Sequence, residues 1–161
     1  FFPITEPVIG GPAARVMSLR DGTKKMSKSD PSDLSRINMT DDPDMIANKI
    51  RKAKTDQYGL PSEPEGLEGR AEAQNLVSIY AALGDDSIES VLSEIGGKQF
   101  SEFKPMLVER ATEVLAPISR EMGRIMQDIT QLDKVLNSGA RKAKSVAEPI
   151  LQKTFDIIGM K

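Results

Sequence analysis

Several residue types that carry much of protein chemistry are missing from this sequence. Its 161 residues include no cysteine, no histidine and no tryptophan, and aromatic residues make up only 4%. Without cysteine the chain has no disulfide framework, which is compatible with a reducing cytoplasm. Without histidine it lacks the most common general acid–base group and the most common metal ligand. Histidine-based mechanisms are therefore excluded for this chain, and we expect no metal site on the protein.

Long apolar runs are absent as well. No run approaches the roughly 20 residues that a bilayer-spanning helix needs, so we expect no membrane partner. Hydrophobic residues make up 39% of the chain and charged residues 29%. Because strands favour β-branched and aromatic residues, this composition suits a helical protein better than a sheet-rich one. The composition therefore predicts a mainly α fold.

The first forty residues differ from the rest of the sequence. The chain begins with two phenylalanines and no basic leader, and we interpret this start as a cut edge rather than a signal peptide. Residues 14–19, "ARVMSL", are compatible with a buried strand, and Asp21-Gly22 supplies a turn after it. A single strand has no partner within the chain, so we expect residues 1–36 to be weakly anchored.

From residue 41 onward apolar residues recur at the three- and four-residue spacing of amphipathic helices. Asp41 or Asp42 is placed to cap the first of these helices, with Pro43 at its first position. The predicted helices lie within residues 41–54, 68–83, 85–95 and 103–129, and a last one follows Asn137-Ser138-Gly139. That last helix is predicted to bury Ala143, Ala147, Ile150, Leu151, Thr154 and Ile157.

Charge is spread unevenly along the chain, although the net value is only −2. Residues 1–40 carry a net charge of +2, residues 61–102 carry −7 and residues 134–161 carry +4. A polyanion would be repelled by the middle of the chain and attracted to its two ends. Ordinary solvated helix faces explain the same distribution, and charge alone leaves both interpretations open.

The string Lys25-Met26-Ser27-Lys28-Ser29 is the sharpest motif in the sequence. At average residue usage it would occur by chance in a chain of this length roughly once in twenty thousand. Two lysines offer mobile positive charges, two serines offer hydroxyl donors, and the backbone N–H groups of a tight loop can cradle an anion. The motif therefore indicates phosphate handling. Lys28 is the residue best suited to stabilise charge on a departing pyrophosphate.

Three segments resemble bacterial tryptophanyl-tRNA synthetases of class I: "ARVMSLRDGTKKMSKSD", "DDPDMIANKIRKAKTD" and "EAQNLVSIYAAL". The first contains the KMSKS signature of that class. The resemblance covers essentially the whole chain, although after residue 83 it consists of helix pattern and "SGARKAKSVA". It implies a helical bundle, residues 37–161, that helps place the anticodon arm. Residues 1–36 would be a strand-and-loop remnant of a Rossmann-like α/β nucleotide-binding domain.

The resemblance also implies an activity and its participants. The family joins tryptophan to tRNA(Trp) through an aminoacyl-adenylate, using ATP with Mg²⁺, in the cytoplasm. It implies a full-length homodimer, with a monomer the expectation for this piece. Lys25 and Lys28 would be catalytic, and ATP would be bound by residues from two short segments. Those ATP-binding residues are Val16, Met17, Lys25, Met26, Ser27, Lys28 and Ser29, while Arg141, Lys142 and Lys144 are the expected contacts to tRNA.

The chain departs from the family pattern in one large respect. The family's other ATP signature contains histidines, and this chain has none. Its ribose-binding turn and tryptophan pocket are also missing. We therefore expect the rest of the site to lie outside this polypeptide and the isolated chain to be unable to activate tryptophan. A tyrosine–tRNA ligase fragment and a non-catalytic tRNA-binding helical module remain the alternatives.

Overall fold

Five α-helices form most of the protein. The structure, a computed structural model, describes residues 1–10 and 14–160. Within those ranges no helix has the length and hydropathy needed to cross a bilayer. Short 3₁₀ turns lie at Asp33–Ser35 and Pro64–Leu67. The helices are α1 (Pro43–Arg51), α2 (Ala71–Gly84), α3 (Ile88–Ile95), α4 (Phe100–Gln127) and α5 (Ile129–Ile158). The prediction of a mainly α fold is confirmed.

The helix ends follow local sequence chemistry. Asp42 caps α1 as predicted, since its carboxylate accepts a hydrogen bond from the Met45 N–H at 2.8 Å, with Pro43 following. The predicted start of the third helix at Asp85 or Asp86 is wrong. Asp85 instead ends α2 in the left-handed conformation at a φ of 55°, and Ser87 caps α3.

The predicted strand at residues 14–19 is also wrong in extent. In the described part of the chain it is reduced to an isolated antiparallel bridge between Met17 and Lys25. A β-ladder extends only as far as the residues of two strands continue to pair with each other. Here residues 16–18 meet only the returning arm of a short hairpin on one edge.

The core lies within the first of two compact units, Phe1–Arg120, and it is built mainly by the first four helices, with Leu19, Ala53, Leu60 and Leu67 contributed from outside them. Phe103 and Leu107 of α4 are fully buried, and the Phe103 ring meets the Tyr80 ring edge to face at 5.4 Å. Other core members are Leu19, Ile46, Ile50, Ala53, Leu60, Leu67, Ala73, Leu76, Val77, Ala81, Val91, Leu92, Ile95, Phe100 and Ala111. The predicted domain boundary at residue 36 remains a prediction.

Leu19 shows that the segment before the signature is well anchored, contrary to expectation. Its side chain is only 2% exposed and belongs to the core. Its N–H donates to the Ser35 carbonyl at 2.9 Å, and its carbonyl accepts from the Lys54 N–H at 2.7 Å. The Arg20 guanidinium reaches the Lys52 carbonyl at the end of α1. Residues 1–10, by contrast, are exposed throughout.

The second compact unit, Glu121–Lys161, consists mainly of α5. Two predictions fail in it. The helix does not start after Asn137-Ser138-Gly139 but runs through these residues, beginning after Asp128, whose carboxylate accepts from the Gln131 N–H. No described residue of α5 is buried, and Ile150, for example, is 47% exposed. The predicted inward face (Ala143, Ala147, Ile150, Leu151, Thr154 and Ile157) is therefore largely open to solvent.

Candidate functional site

A short hairpin carries the signature motif. The Ser18 N–H donates to the Lys24 carbonyl at 2.8 Å, and the Met26 N–H donates to the Val16 carbonyl at 3.0 Å. These two bonds flank the bridge between Met17 and Lys25. Lys25, the first residue of the motif, is therefore held directly opposite Met17. The structure thus brings the two predicted nucleotide-binding segments together.

The turn of this hairpin is fixed by Asp21. Its carboxylate accepts from the Thr23 N–H at 3.1 Å and from the Thr23 hydroxyl at 2.6 Å. The Lys24 ammonium lies 3.1 Å from the same carboxylate. The Thr23 hydroxyl, followed by Lys24, lowers the pKa of Asp21 from 3.8 to about 2. The turn carboxylate therefore stays ionised at neutral pH and keeps its hydrogen bonds.

Gly22 brings the turn into contact with the start of α2. A Cβ atom at this position would lie 2.5 Å from the Ala71 carbonyl carbon and 2.6 Å from the Glu72 nitrogen. No side chain fits there, because carbon and nitrogen atoms that are not bonded to each other stay well beyond 3 Å apart. Glycine is thus required by the close approach of two backbones.

Asn75, on α2, binds the outer edge of the hairpin. Its side-chain oxygen accepts from the Met17 N–H at 2.9 Å, and its side-chain nitrogen donates to the Met17 carbonyl at 2.8 Å. The same nitrogen lies 3.3 Å from the Ser18 carbonyl. Asn75 is only 5% exposed. Sequence reasoning missed this residue, although an asparagine on an apolar helix face signals a buried partner.

After Met26 the motif projects from the protein surface into solvent. The Met26 side chain packs against the core, whereas Lys25, Ser27, Lys28 and Ser29 are exposed. The Ser27 hydroxyl accepts from the Ser29 N–H at 3.3 Å and lies 3.4 Å from the Ser29 hydroxyl. Neither Lys25 nor Lys28 forms an ion pair with any described residue. Two uncompensated ammonium groups and two hydroxyl groups thus alternate along an anchored loop.

Val16 and Met17 direct their side chains to different surroundings. Val16 and Met26 line an apolar cavity of about 230 Å³ with Leu83 and Leu115. Met17 lines a separate, more polar cavity of about 260 Å³ that also contains Arg15. Their backbone groups are already engaged, because the Val16 carbonyl bonds Met26 and both polar groups of Met17 bond Asn75. A carbonyl oxygen has a second lone pair, so both can still accept a further bond.

The segment after the motif is tied to α1 through Arg36. Its guanidinium donates to the Asp30 carbonyl at 2.9 Å and lies 3.1 Å from the Asp33 carboxylate. Asp33 in turn lies 2.8 Å from the Lys49 ammonium on α1. The hydrogen bond from Lys49 is the main reason why the pKa of Asp33 is lowered. The motif is therefore bracketed by anchored segments on both of its sides.

Lys49 and Asp41 form a buried ion pair behind this segment. The ammonium and carboxylate groups lie 2.5 Å apart, and the two side chains are 2% exposed each. Asp41 also accepts from the Asn38 N–H at 2.9 Å. Lys49 lies on the same buried face of α1 as Ile46 and Ile50, and its partner explains how a charge is tolerated there.

The predicted tRNA contacts lie on α5. Arg141, Lys142 and Lys144 are all exposed. Lys144 lies 3.5 Å from Glu148, one helical turn along, whereas Arg141 and Lys142 form no ion pair with described residues. The described residues also contain no cluster of three or more acidic side chains suited to a metal ion.

Comparison with known proteins matches this chain to a protein family. The profile described as "tRNA synthetases class I (W and Y)" matches residues 2–116. The tryptophan–tRNA ligase of Agrobacterium fabrum is 61% identical over 159 residues, which is 99% of this chain and 45% of the relative. The tryptophan–tRNA ligase of Mesorhizobium japonicum is 63% identical over 160 residues, which is again 99% of this chain and 45% of the relative.

A solved structure agrees with the fold. The crystal structure of tryptophanyl-tRNA synthetase from Mycoplasma pneumoniae superposes with a TM-score of 0.76 at 25% sequence identity. The superposition covers 93% of this chain and 46% of that one. The chain thus spans about half the length of the proteins that it matches.

Proposed function

The chain belongs to the class I tRNA synthetases of the tryptophan and tyrosine type, and from that premise we propose that it is the loop-bearing C-terminal part of a tryptophan–tRNA ligase. Five relatives named for tryptophan are 59–63% identical over almost all of the chain, which favours tryptophan over tyrosine. In this proposal residues 1–36 complete a nucleotide-binding domain, and residues 37–161 form the anticodon-arm domain.

The proposed reaction has two steps. The tryptophan carboxylate attacks the α-phosphorus of ATP, the bond to the bridging oxygen breaks, and pyrophosphate leaves with the electron pair. The activated aminoacyl group then passes to a hydroxyl of the 3′-terminal ribose of tRNA(Trp), and AMP is released. Negative charge builds on the leaving pyrophosphate in the first step, so positive groups placed there lower the barrier.

Lys25 and Lys28 are the proposed catalytic residues for this step. One observation carries the proposal: both ammonium groups are exposed and unpaired within the described chain, on a loop whose two ends are anchored. Ser27 and Ser29 supply hydroxyl groups beside them, and Mg²⁺ is proposed to accompany ATP on its phosphates. The adenine would lie beside Val16, Met17 and Met26.

Arg141, Lys142 and Lys144 are the proposed contacts to tRNA phosphates. Their exposure on α5 and the +4 net charge of residues 134–161 support this assignment. The whole enzyme is proposed to act in the cytoplasm as a homodimer, and the isolated 161-residue chain to be a monomer. If this chain were only a tRNA-binding module, salt-dependent tRNA binding would occur without any contribution to ATP chemistry.

The test uses a chimera in which this chain replaces the matching part of the Agrobacterium fabrum relative. We expect tryptophan-dependent ATP–pyrophosphate exchange from the chimera and none from the isolated chain. Lys28→Ala should lower kcat by about 100-fold and Lys25→Ala by a similar factor, because each removes one group that stabilises the leaving pyrophosphate. The matched control is Lys52→Ala, because Lys52 is an exposed lysine directly after α1, and it should leave kcat unchanged.

Three results would count against the proposal. Full activity of the Lys25→Ala, Lys28→Ala double variant would remove the catalytic assignment. Exchange with tyrosine in place of tryptophan by the full-length protein that contains this chain would support the tyrosine alternative, because the amino-acid pocket of the chimera comes from the relative. Exchange activity from the isolated chain would show that no further half is needed.

A further inference from the structure

Asn75 bonds the edge of the hairpin at which a further strand would pair. In an antiparallel hairpin, successive residues direct their N–H and C=O groups alternately to the two edges. Val16 and Ser18 use the inner edge to bond the returning arm, so the N–H and C=O of Met17 face outward. A carboxamide carries one acceptor and one donor group, as a peptide unit does, and Asn75 bonds both groups of Met17.

This contact connects α2 to the motif by a short path. Asn75 bonds Met17, Met17 is bridged to Lys25, and Gly22 seats the turn of the same hairpin against the start of α2. The contact is buried, so water does not compete for these hydrogen bonds. A displacement of Met17 would therefore move Lys25 directly.

We propose that Asn75 is a positioning residue that holds the hairpin in register, so that Lys25 and the loop after it meet the nucleotide in the reactive arrangement. Asn75 acts through the backbone of Met17 and Ser18 and does not touch substrate. This inference rests on the proposed function, which supplies the nucleotide.

The first test uses hydrogen exchange on the 161-residue chain and needs no catalysis. The informative amides are those of Ser18 and Met26, because neither bonds Asn75 itself. Asn75→Leu should speed their exchange at least about tenfold, since the hairpin loses its outer-edge partner, while the amide of Leu107 in α4 changes little. Asn75→Asp should speed the exchange of Ser18 and Met26 at least as much, because a carboxylate oxygen then faces the Met17 and Ser18 carbonyls in a buried site.

Two control variants separate positioning from general destabilisation. Leu92→Ala removes a fully buried side chain of α3 and should lower protection at Leu107 as much as at Ser18. Asn48→Leu, at an exposed asparagine of α1, should change neither. Unchanged protection at Ser18 and Met26 in Asn75→Leu would overturn the proposal.

The second test measures kinetics in the chimera with the Agrobacterium fabrum relative. Asn75→Leu should lower kcat/KM for ATP by about tenfold and leave the KM for tryptophan within about twofold, because only the nucleotide loop moves. Leu92→Ala should show no such selectivity. Equal changes for both substrates would overturn the positioning role. An inactive parent chimera would instead overturn the proposed function, and hydrogen exchange alone would then decide whether Asn75 holds the hairpin.

Discussion

The start of α4 and the whole of α5 have the same apolar spacing and opposite burial. In α4, Phe103, Leu107 and Ala111 step by fours and are fully buried. In α5, Ile150 and Leu151 belong to an equally regular stripe, yet they are 47% and 48% exposed. Helical periodicity therefore identifies a face that can be buried, but the neighbours available to that face decide whether it is.

Charged pairs show the same contrast. Lys49 lies on α1 and Asp41 just before it, and their side chains are 2% exposed each. The side chains of Lys144 and Glu148, on α5, are 76% and 59% exposed. In water, the attraction of an ion pair is screened and offset by side-chain entropy. Away from water, the loss of one partner leaves an uncompensated charge. Loss of one partner of an ion pair is thus expected to lower stability greatly at α1 and little on α5.

Removal of one partner of the buried ion pair should destabilise the protein more than any other substitution in this comparison. Lys49→Met should lower the free energy of unfolding by about 3–5 kcal/mol, because it leaves the Asp41 carboxylate buried without its counterion. Lys144→Met makes the same chemical change on α5 and should cost less than about 1 kcal/mol. Urea denaturation of both variants measures the difference. Equal losses would contradict the contrast between the two regions.

A pair of leucine truncations sharpens the comparison of the apolar faces. Leu107→Ala should lower the free energy of unfolding by about 2–5 kcal/mol, since it opens a cavity in the core. Leu151→Ala, at a half-exposed leucine, should lower it by no more than about 1 kcal/mol. Thermal and urea unfolding provide the readout. A large cost at Leu151 would mean that the α5 face is covered in solution.

The smallest of the three effects concerns two glycines. Gly22→Ala should cost about 1–3 kcal/mol, because the added methyl group meets the α2 backbone and must displace the hairpin. Gly123→Ala lies within α4, where nothing is within 4 Å of the new Cβ, and it should stabilise the chain by about 0.5–1 kcal/mol. Stabilisation by both substitutions would show that the hairpin is not seated on α2.

The loop and the helices were predictable from the sequence to different degrees. The five-residue motif could be identified from the sequence, because the exact string is rare by chance and combines two ammonium groups with two hydroxyl groups. Helices α1 and α4 followed from caps and long apolar stripes. The start of α5 did not, because Asn137-Ser138-Gly139 is a weak helix-breaking signal that the longer helical pattern around it overrides.

The mainly helical fold and the pair of lysines proposed to act on a phosphate group could be predicted from the amino acids alone, because propensity, periodicity and side-chain chemistry are local properties. The folded chain was needed to show that Asn75 pairs with Met17, that Lys49 pairs with Asp41, and that the α5 face is open to solvent. Such contacts join residues far apart in sequence, or depend on which neighbours are present. Burial away from water strengthens each of these polar contacts and makes the loss of one partner costly, and no local pattern shows which residues are buried together.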